Sequence, residues 1–298
     1  MIIILLILLL LVVLILNAFF LYIQKRGSKA LGTEAPRVDM DEGLVEQTDK
    51  FVNEPKQDWQ IKSKFNGSKL YGWFTDNDDD KTVIMVHGFG VDHSSLDVHA
   101  QLFDRLGCNV LQIDNQAAGK SEGKYLGFGY IESLDLLNWI NEVISKRPND
   151  KIILFGASMG AATVMLTSGN NLPKNVKLII EDSGYTSAYD ILSYQCQKRY
   201  HIKGKWLIKG ISLASRVRAG FSYAKTDCMK ALEKNTLPIL FMHGRNDFTV
   251  PFEMREKLLT CGQFPKMSYE SQGVHIRSYY VDSKKYQSTV DKFLKMYL

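Results

Sequence analysis

Two serines of this chain occupy the pattern Gly-x-Ser-x-Gly, Ser121 within residues 119–123 and Ser158 within residues 156–160. A serine hydroxyl is a weak nucleophile at neutral pH. It becomes an effective one when a sharp strand-to-helix turn displays it and a neighbouring base takes its proton. Ser158 has that setting: the apolar, β-favouring run 151–155 (KIILF) leads into it and the small-residue helical start 160–164 (GAATV) follows. Glycines on either side suit so tight an elbow, since side chains there would collide with their neighbours. Ser121 lies beyond a strand at 109–114 and runs into residues 124–127 (KYLG) without a helical pattern, so it reads as a loop serine. Its Gly-Lys-Ser does not complete a phosphate-binding loop either, because the leading glycine of that motif falls on Asp114.

An activated serine needs a base, and the base needs an orienting acid; after an elbow of this kind the acid and then the histidine follow along the chain. Only His201, His243 and His275 come after Ser158. His275, in Ser271-Gln272-Gly273-Val274-His275, falls between the last strand and the last helix, a loop that ends over the sheet edge where Ser158 is displayed. His243 continues a strand into Gly244, and His201 lies in a basic insertion, so both are weaker candidates. Asp247 follows the penultimate strand and is the favoured acid. Asp182, at the end of the run KLIIED, is the runner-up. The oxyanion that forms on attack needs two pre-aimed N–H donors. Met159 would supply one and Phe89, between Gly88 and Gly90, the other, with His87 supporting that loop.

These residues require a sheet to hold them. Residues 59–64 and 69–75 flank Phe65-Asn66-Gly67-Ser68 as a hairpin, and 82–86 form a third strand. Helices and strands then alternate: a helix capped by Ser94 or Ser95, a strand at 109–114, and a helix with Leu134, Leu137, Ile140 and Ile144 on one face. The elbow strand follows, then strands at 177–181, 238–242 and 266–270, and a last helix facing inward through Val290, Phe293, Leu294 and Tyr297. That order predicts a mostly parallel sheet covered on both faces after an antiparallel opening. The length, 298 residues with 45% hydrophobic content, is enough for one such α/β domain with extensions. Four cysteines without a paired spacing read as reduced, mostly buried thiols.

Taken together, His87-Gly88-Phe89-Gly90, the loop 114–123 (DNQAAGKSEG), residues 156–162 (GASMGAA), Glu181-Asp182-Ser183, His243 to Asp247 and Gly273-Val274-His275 resemble the α/β-hydrolase superfamily. The likeness covers about residues 59–298 and is strongest to bacterial serine aminopeptidase-like and acyl-peptide-hydrolase-like members. It implies an α/β-hydrolase fold, an eight-stranded, mostly parallel sheet with helices on both faces and a small helical cap. It also implies Ser158, Asp247 and His275 as nucleophile, acid and base of a serine hydrolase acting on an ester, thioester, amide or peptide bond. No metal or organic cofactor is implied. An acyltransferase using the same triad, and an inactive membrane-tethered binding module, are the alternatives.

Residues 2–23 are apolar but for Asn17, long enough as a helix to cross a bilayer. They read as an uncleaved anchor, followed by a tether (24–55) and the globular domain (56–298), with a cap at about 187–226. Lys25, Arg26 and Lys29 follow the span, so the positive-inside rule expects a cytoplasmic catalytic domain. Residues 191–226 hold eight basic residues and no acid. Trp206, Leu207, Ile208 and Ile211 interleave with these cations, which suggests contact with anionic lipid; the plainer alternative turns that apolar side over the pocket. No nucleic-acid motif accompanies them.

Overall fold

A computed structural model describes residues 1–31, 40 and 42–298. Most of the expected tether's centre, residues 32–39 and 41, lies outside the described residues. Helix α1 (Ile2–Gln24) is followed by α2 (Glu42–Val52), the hairpin β1 (Gln57–Lys62) and β2 (Lys69–Thr75), then β3 (Lys81–Val86). Next come α3 (Asp97–Arg105), β4 (Asn109–Ile113), α4 (Tyr130–Lys146), β5 (Lys151–Ala157), α5 (Met159–Ser168) and β6 (Val176–Asp182). The chain continues through α6 (Ala188–Tyr200), α7 (Lys205–Arg218), α8 (Cys228–Leu232), β7 (Ile239–Gly244), α9 (Phe252–Leu259), β8 (Lys266–Ser271), α10 (Ser278–Val281) and α11 (Ser283–Tyr297).

Among the described residues the strands form one eight-stranded sheet ordered β1-β2-β4-β3-β5-β6-β7-β8. Only β2 runs against its neighbours, pairing antiparallel with β1 and β4. Every other pair is parallel. The central strands read as unbroken apolar runs because both faces are covered. Alternate residues then serve two cores. Ile84, Val86, Ile152, Leu154, Ile179 and Phe241 face α4, α5 and α8, whereas Val83, Met85, Ile153, Phe155, Ile180 and Leu240 face α2, α3 and α11.

Three local expectations shift. Asp92, not Ser94 or Ser95, caps the turn before α3, because its carboxylate accepts the Ser94 N–H. The inward face of α4 is centred on Leu136, Trp139, Ile140 and Val143, which leaves Leu134, Leu137 and Ile144 half-buried at its edge. The third concerns residues 24–55. Leu44 and Phe51 bury α2 against α3, so the domain begins before residue 56. The chain leaving α1 is docked as well. Phe20, Ile23 and Gln24 are buried, Gln24 donates to the Leu126 carbonyl at 2.6 Å, and Tyr223 donates to Gln24 at 3.0 Å. Arg26 continues the contact through its backbone N–H to Lys124 O and its guanidinium to Ser121 O and Gly119 O. Residues 24–31 are therefore a strap across the domain, fixed by polar contacts that hydrophobic periodicity does not register.

Candidate active site

The elbow carries Ser158 at φ 56°, ψ −114°, an unfavourable region for a side chain, imposed by the close seating of α5 on the sheet. A Cβ at Gly160 would lie 1.9 Å from the Val86 carbonyl, and one at Gly156 would lie 2.1 Å from Gly160 O. Glycine at both positions is thus a steric requirement. The Ser158 N–H is spent on Asp182 O at 2.8 Å, which ties the elbow to the end of β6. The first N–H of α5, on Met159, is one of the donors an α-helix leaves without an internal partner.

His275 Nε2 lies 2.9 Å from Ser158 Oγ, and His275 Nδ1 lies 2.6 Å from Asp247 Oδ2. All three side chains are buried. The loops after β7 and β8 are joined beside the Asp247–His275 contact. Arg245 N donates to Ser271 O at 2.8 Å, Asn246 N to Gly273 O at 3.2 Å, and the Asn246 side chain to Gln272 O at 2.7 Å. Asp247 Oδ1 accepts the N–H groups of Thr249 and Val250 at 2.8 and 2.9 Å, leaving Oδ2 for imidazole. Burial disfavours a charge on Asp247, but His275 and His243 outweigh it and hold the carboxyl well below the usual carboxylate range.

His243 is the residue whose part the sequence did not reveal. Weighed there as a competing base, it lies instead behind Asp247: its Nε2 is 2.9 Å from Val250 O and 3.2 Å from Asp247 Oδ2. Burial lowers its proton affinity, yet the Asp247 and Glu181 carboxylates reverse that and raise its pKa. The available signal was its offset of four residues from Asp247 across a strand end. Asp182 is occupied elsewhere, accepting from Ser183 Oγ at 2.8 Å and Tyr286 OH at 2.9 Å. Ser121 is buried and structural, donating to Asp114 O at 2.7 Å and accepting the Tyr71 N–H at 2.9 Å. Burial pushes the Cys108 thiol up to about 12, which leaves it inert as a nucleophile.

Phe89 lies on the loop after β3 and lines the same cavity as Ser158 and His275, about 300 Å³ in volume. Gly88 faces the serine closely, since a Cβ there would lie 3.3 Å from Ser158 Cβ. His87 braces this loop: its Nε2 accepts the Asn115 N–H at 3.0 Å, so its Nδ1–H donates to Gly88 O at 2.8 Å. The strap supports it from outside. Lys29 Nζ donates to Gly90 O at 2.9 Å, and Ser28 O sits so near Gly90 that a Cβ would approach it to 2.6 Å.

Glu181 lies beside this constellation, fully buried, with its carboxylate accepting the Gly184 N–H at 2.9 Å. Burial raises its pKa from 4.5 to about 7, so the native state takes up a proton that the unfolded chain releases near pH 4.5. The resulting stability is present at low pH and is lost as pH rises through about 7. Glu181→Gln removes this dependence. Its stability relative to wild type is expected to improve by on the order of 2 kcal/mol between pH 5 and pH 8. Thermal unfolding at the two pH values measures this; a relative stability that falls with pH would contradict it.

Comparison with known proteins follows the same lines. Residues 77–185 match the family model described as serine aminopeptidase, S33. The uncharacterized protein YqkD of Bacillus subtilis is 28% identical over 221 residues, which cover 73% of this chain and 72% of that one. The uncharacterized protein YfhR of Escherichia coli K12 is 24% identical, over 67% of this chain and 66% of its own length. Among solved structures, the Pyrococcus furiosus esterase Pf2001 superposes with TM-score 0.65 at 24% identity, covering 89% of this chain and 99% of that one. An Exiguobacterium antarcticum esterase superposes with TM-score 0.58 at 19% identity, covering 80% of this chain and all of that one. With the sheet order, the elbow and the cap helices between β6 and β7, these likenesses give the chain the α/β-hydrolase fold.

Proposed function

We propose that this chain is a membrane-anchored serine hydrolase in which Ser158 is the nucleophile, His275 the general base and Asp247 the acid that orients it. The observation that carries the reading is the Asp247–His275–Ser158 series of contacts, 2.6 and 2.9 Å, at a strained elbow. His275 Nε2 takes the Ser158 proton as Oγ bonds to the substrate's carbonyl carbon, and Asp247 stabilises the imidazolium. The carbonyl oxygen, now negative, accepts from the Met159 and Phe89 N–H groups. Collapse breaks the bond to the leaving group, which departs with the proton from His275. Water, deprotonated by the same imidazole, then releases the acid and regenerates the serine. The esterase neighbours favour an ester as the bond cleaved. A fluorophosphonate probe tests the assignment: wild type is labelled and Ser158→Ala is not, and labelling that survives the substitution refutes it.

Helix α1 is long and apolar enough to cross a membrane. A cleaved leader would match on hydropathy too; retention is favoured by the buried last turn and by the strap that continues it onto the domain. The basic residues after the span argue for a cytoplasmic domain. Leu207, Ile208 and Ile211 of α7 turn inward, whereas Trp206, Leu213 and Val217 are exposed beside Lys205, Lys209 and Arg216. That outer face suits an anionic bilayer surface. Protein lacking residues 1–23 is expected to bind anionic vesicles more tightly than neutral ones, and equal, negligible binding to both would sink the idea.

A further inference from the structure

A second cavity, about 440 Å³, lies between the anchor helix and the cap, within the size range of small-molecule sites. Ala18 and Phe19 of α1, Leu192 of α6, Ile208 and Ile211 of α7, and Leu31 of the strap form its walls. The polar groups at its edge are turned onto the chain itself. Gln195 donates to Thr249 O at 2.6 Å, and Arg199 donates to Ala30 O at 2.9 Å and to Gln195 Oε1 at 3.0 Å. What remains to meet a ligand, apart from the Cys196 thiol and the Tyr22 and Tyr200 rings, is hydrocarbon, the surface that an alkyl chain would pack against.

Two observations say where that chain comes from and where it leads. Leu31 lines both this cavity and the one holding Ser158 and His275, and the adjacent residues Ile191 and Leu192 of α6 each line one of the two. The other end opens beside Ala18, Phe19, Tyr22 and Ile202, all exposed, directly below the apolar stretch 2–15 of α1 that none of the described residues covers. Ala18 and Gln24 are roughly 9 Å apart along the helix axis, so the opening sits at the depth where hydrocarbon gives way to headgroups.

We propose that this cavity is the acyl-chain subsite for a long-chain fatty acyl ester drawn laterally from the bilayer, with its alkyl tail between α1 and the cap and its carbonyl at Ser158. The assignment rests on the serine-hydrolase reading and adds the substrate class. The tail stays in the cavity through the acyl-enzyme: the leaving alcohol departs first, and water then releases a fatty acid. Trp206, Leu213 and Val217 give the cap its own footing in the same interface.

The test uses the full chain in detergent micelles with nitrophenyl esters from acetate to palmitate. In wild type, kcat/KM is expected to rise about fourfold for each methylene that enters the cavity. Ile211→Trp fills the cavity from the cap, and Ala18→Trp fills it from an exposed helix position where folding is not at stake. Each is expected to lower the palmitate-to-butyrate ratio of kcat/KM by about tenfold, the loss of roughly two buried methylenes. Because a ratio is read, misfolded protein in a preparation cancels. A flat chain-length profile, or a ratio unmoved in both variants, overturns the subsite while fluorophosphonate labelling still upholds Ser158. Failure of labelling and of all ester cleavage overturns both.

Discussion

Ser158→Ala is expected to lower kcat for ester hydrolysis by about 10⁶-fold, leaving a residual rate from substrate positioning and the oxyanion donors alone. The substitution removes one oxygen and leaves the fold intact. Alanine meets the same backbone demand at φ 56° that serine meets, and the Ser158 N–H to Asp182 O bond at 2.8 Å is a backbone contact that persists. His275 keeps its acid but has no proton to take. The thermal midpoint should match wild type, so that initial rates report chemistry and not stability. A variant retaining a tenth of the wild-type rate would remove Ser158 from the reaction altogether.

Asp247→Asn should cost about 10⁴-fold in kcat, the effect expected of placing the base in the wrong tautomer. Asparagine is the informative replacement because Oδ1 still accepts from Thr249 and Val250, holding the turn as the wild type does. At the other position an NH₂ group replaces the oxygen that His275 Nδ1 meets at 2.6 Å and His243 Nε2 at 3.2 Å. The His275 ring then keeps its proton on Nε2, facing a hydroxyl that also needs to donate. Stopped-flow or steady-state rates measure the loss. A cost below a hundredfold, with Asp182→Asn costing more, would move the acid to β6. That outcome runs against the contacts Asp182 makes with Ser183 and Tyr286.

Much of this arrangement was legible before any coordinates. Parallel strands buried on both faces are written as apolar runs such as residues 151–155, and their ends are where Ser158, Asp182, Asp247 and His275 fall. The strand before it and the small-residue helix after it separated the elbow serine from Ser121. The contribution of His243 was hidden because a second imidazole on one carboxylate is a matter of side-chain direction, which spacing does not encode. Residues 24–31 were read as a tether for a related reason. Arg26 and Lys29 look solvated in sequence, and their use as donors to loop carbonyls depends on loops far away in the chain. On α4, the face was misjudged by about one residue's rotation because leucines also occupy its flanks.

The junction of α1 with the domain bears on what the proposed membrane-anchored hydrolase could reach. A flexible leash would let the catalytic domain tumble and present its cavity in any direction. Here Gln24 is gripped by Leu126 and Tyr223, and Arg26 by the loop carrying Ser121, so rotation about the span is arrested where the helix ends. The reactive serine is held at one height and one compass bearing relative to the span. On the membrane-anchored serine-hydrolase reading, a macromolecular substrate would have to bring its scissile bond to the membrane plane, since a domain fixed in this way does not swing out to reach it.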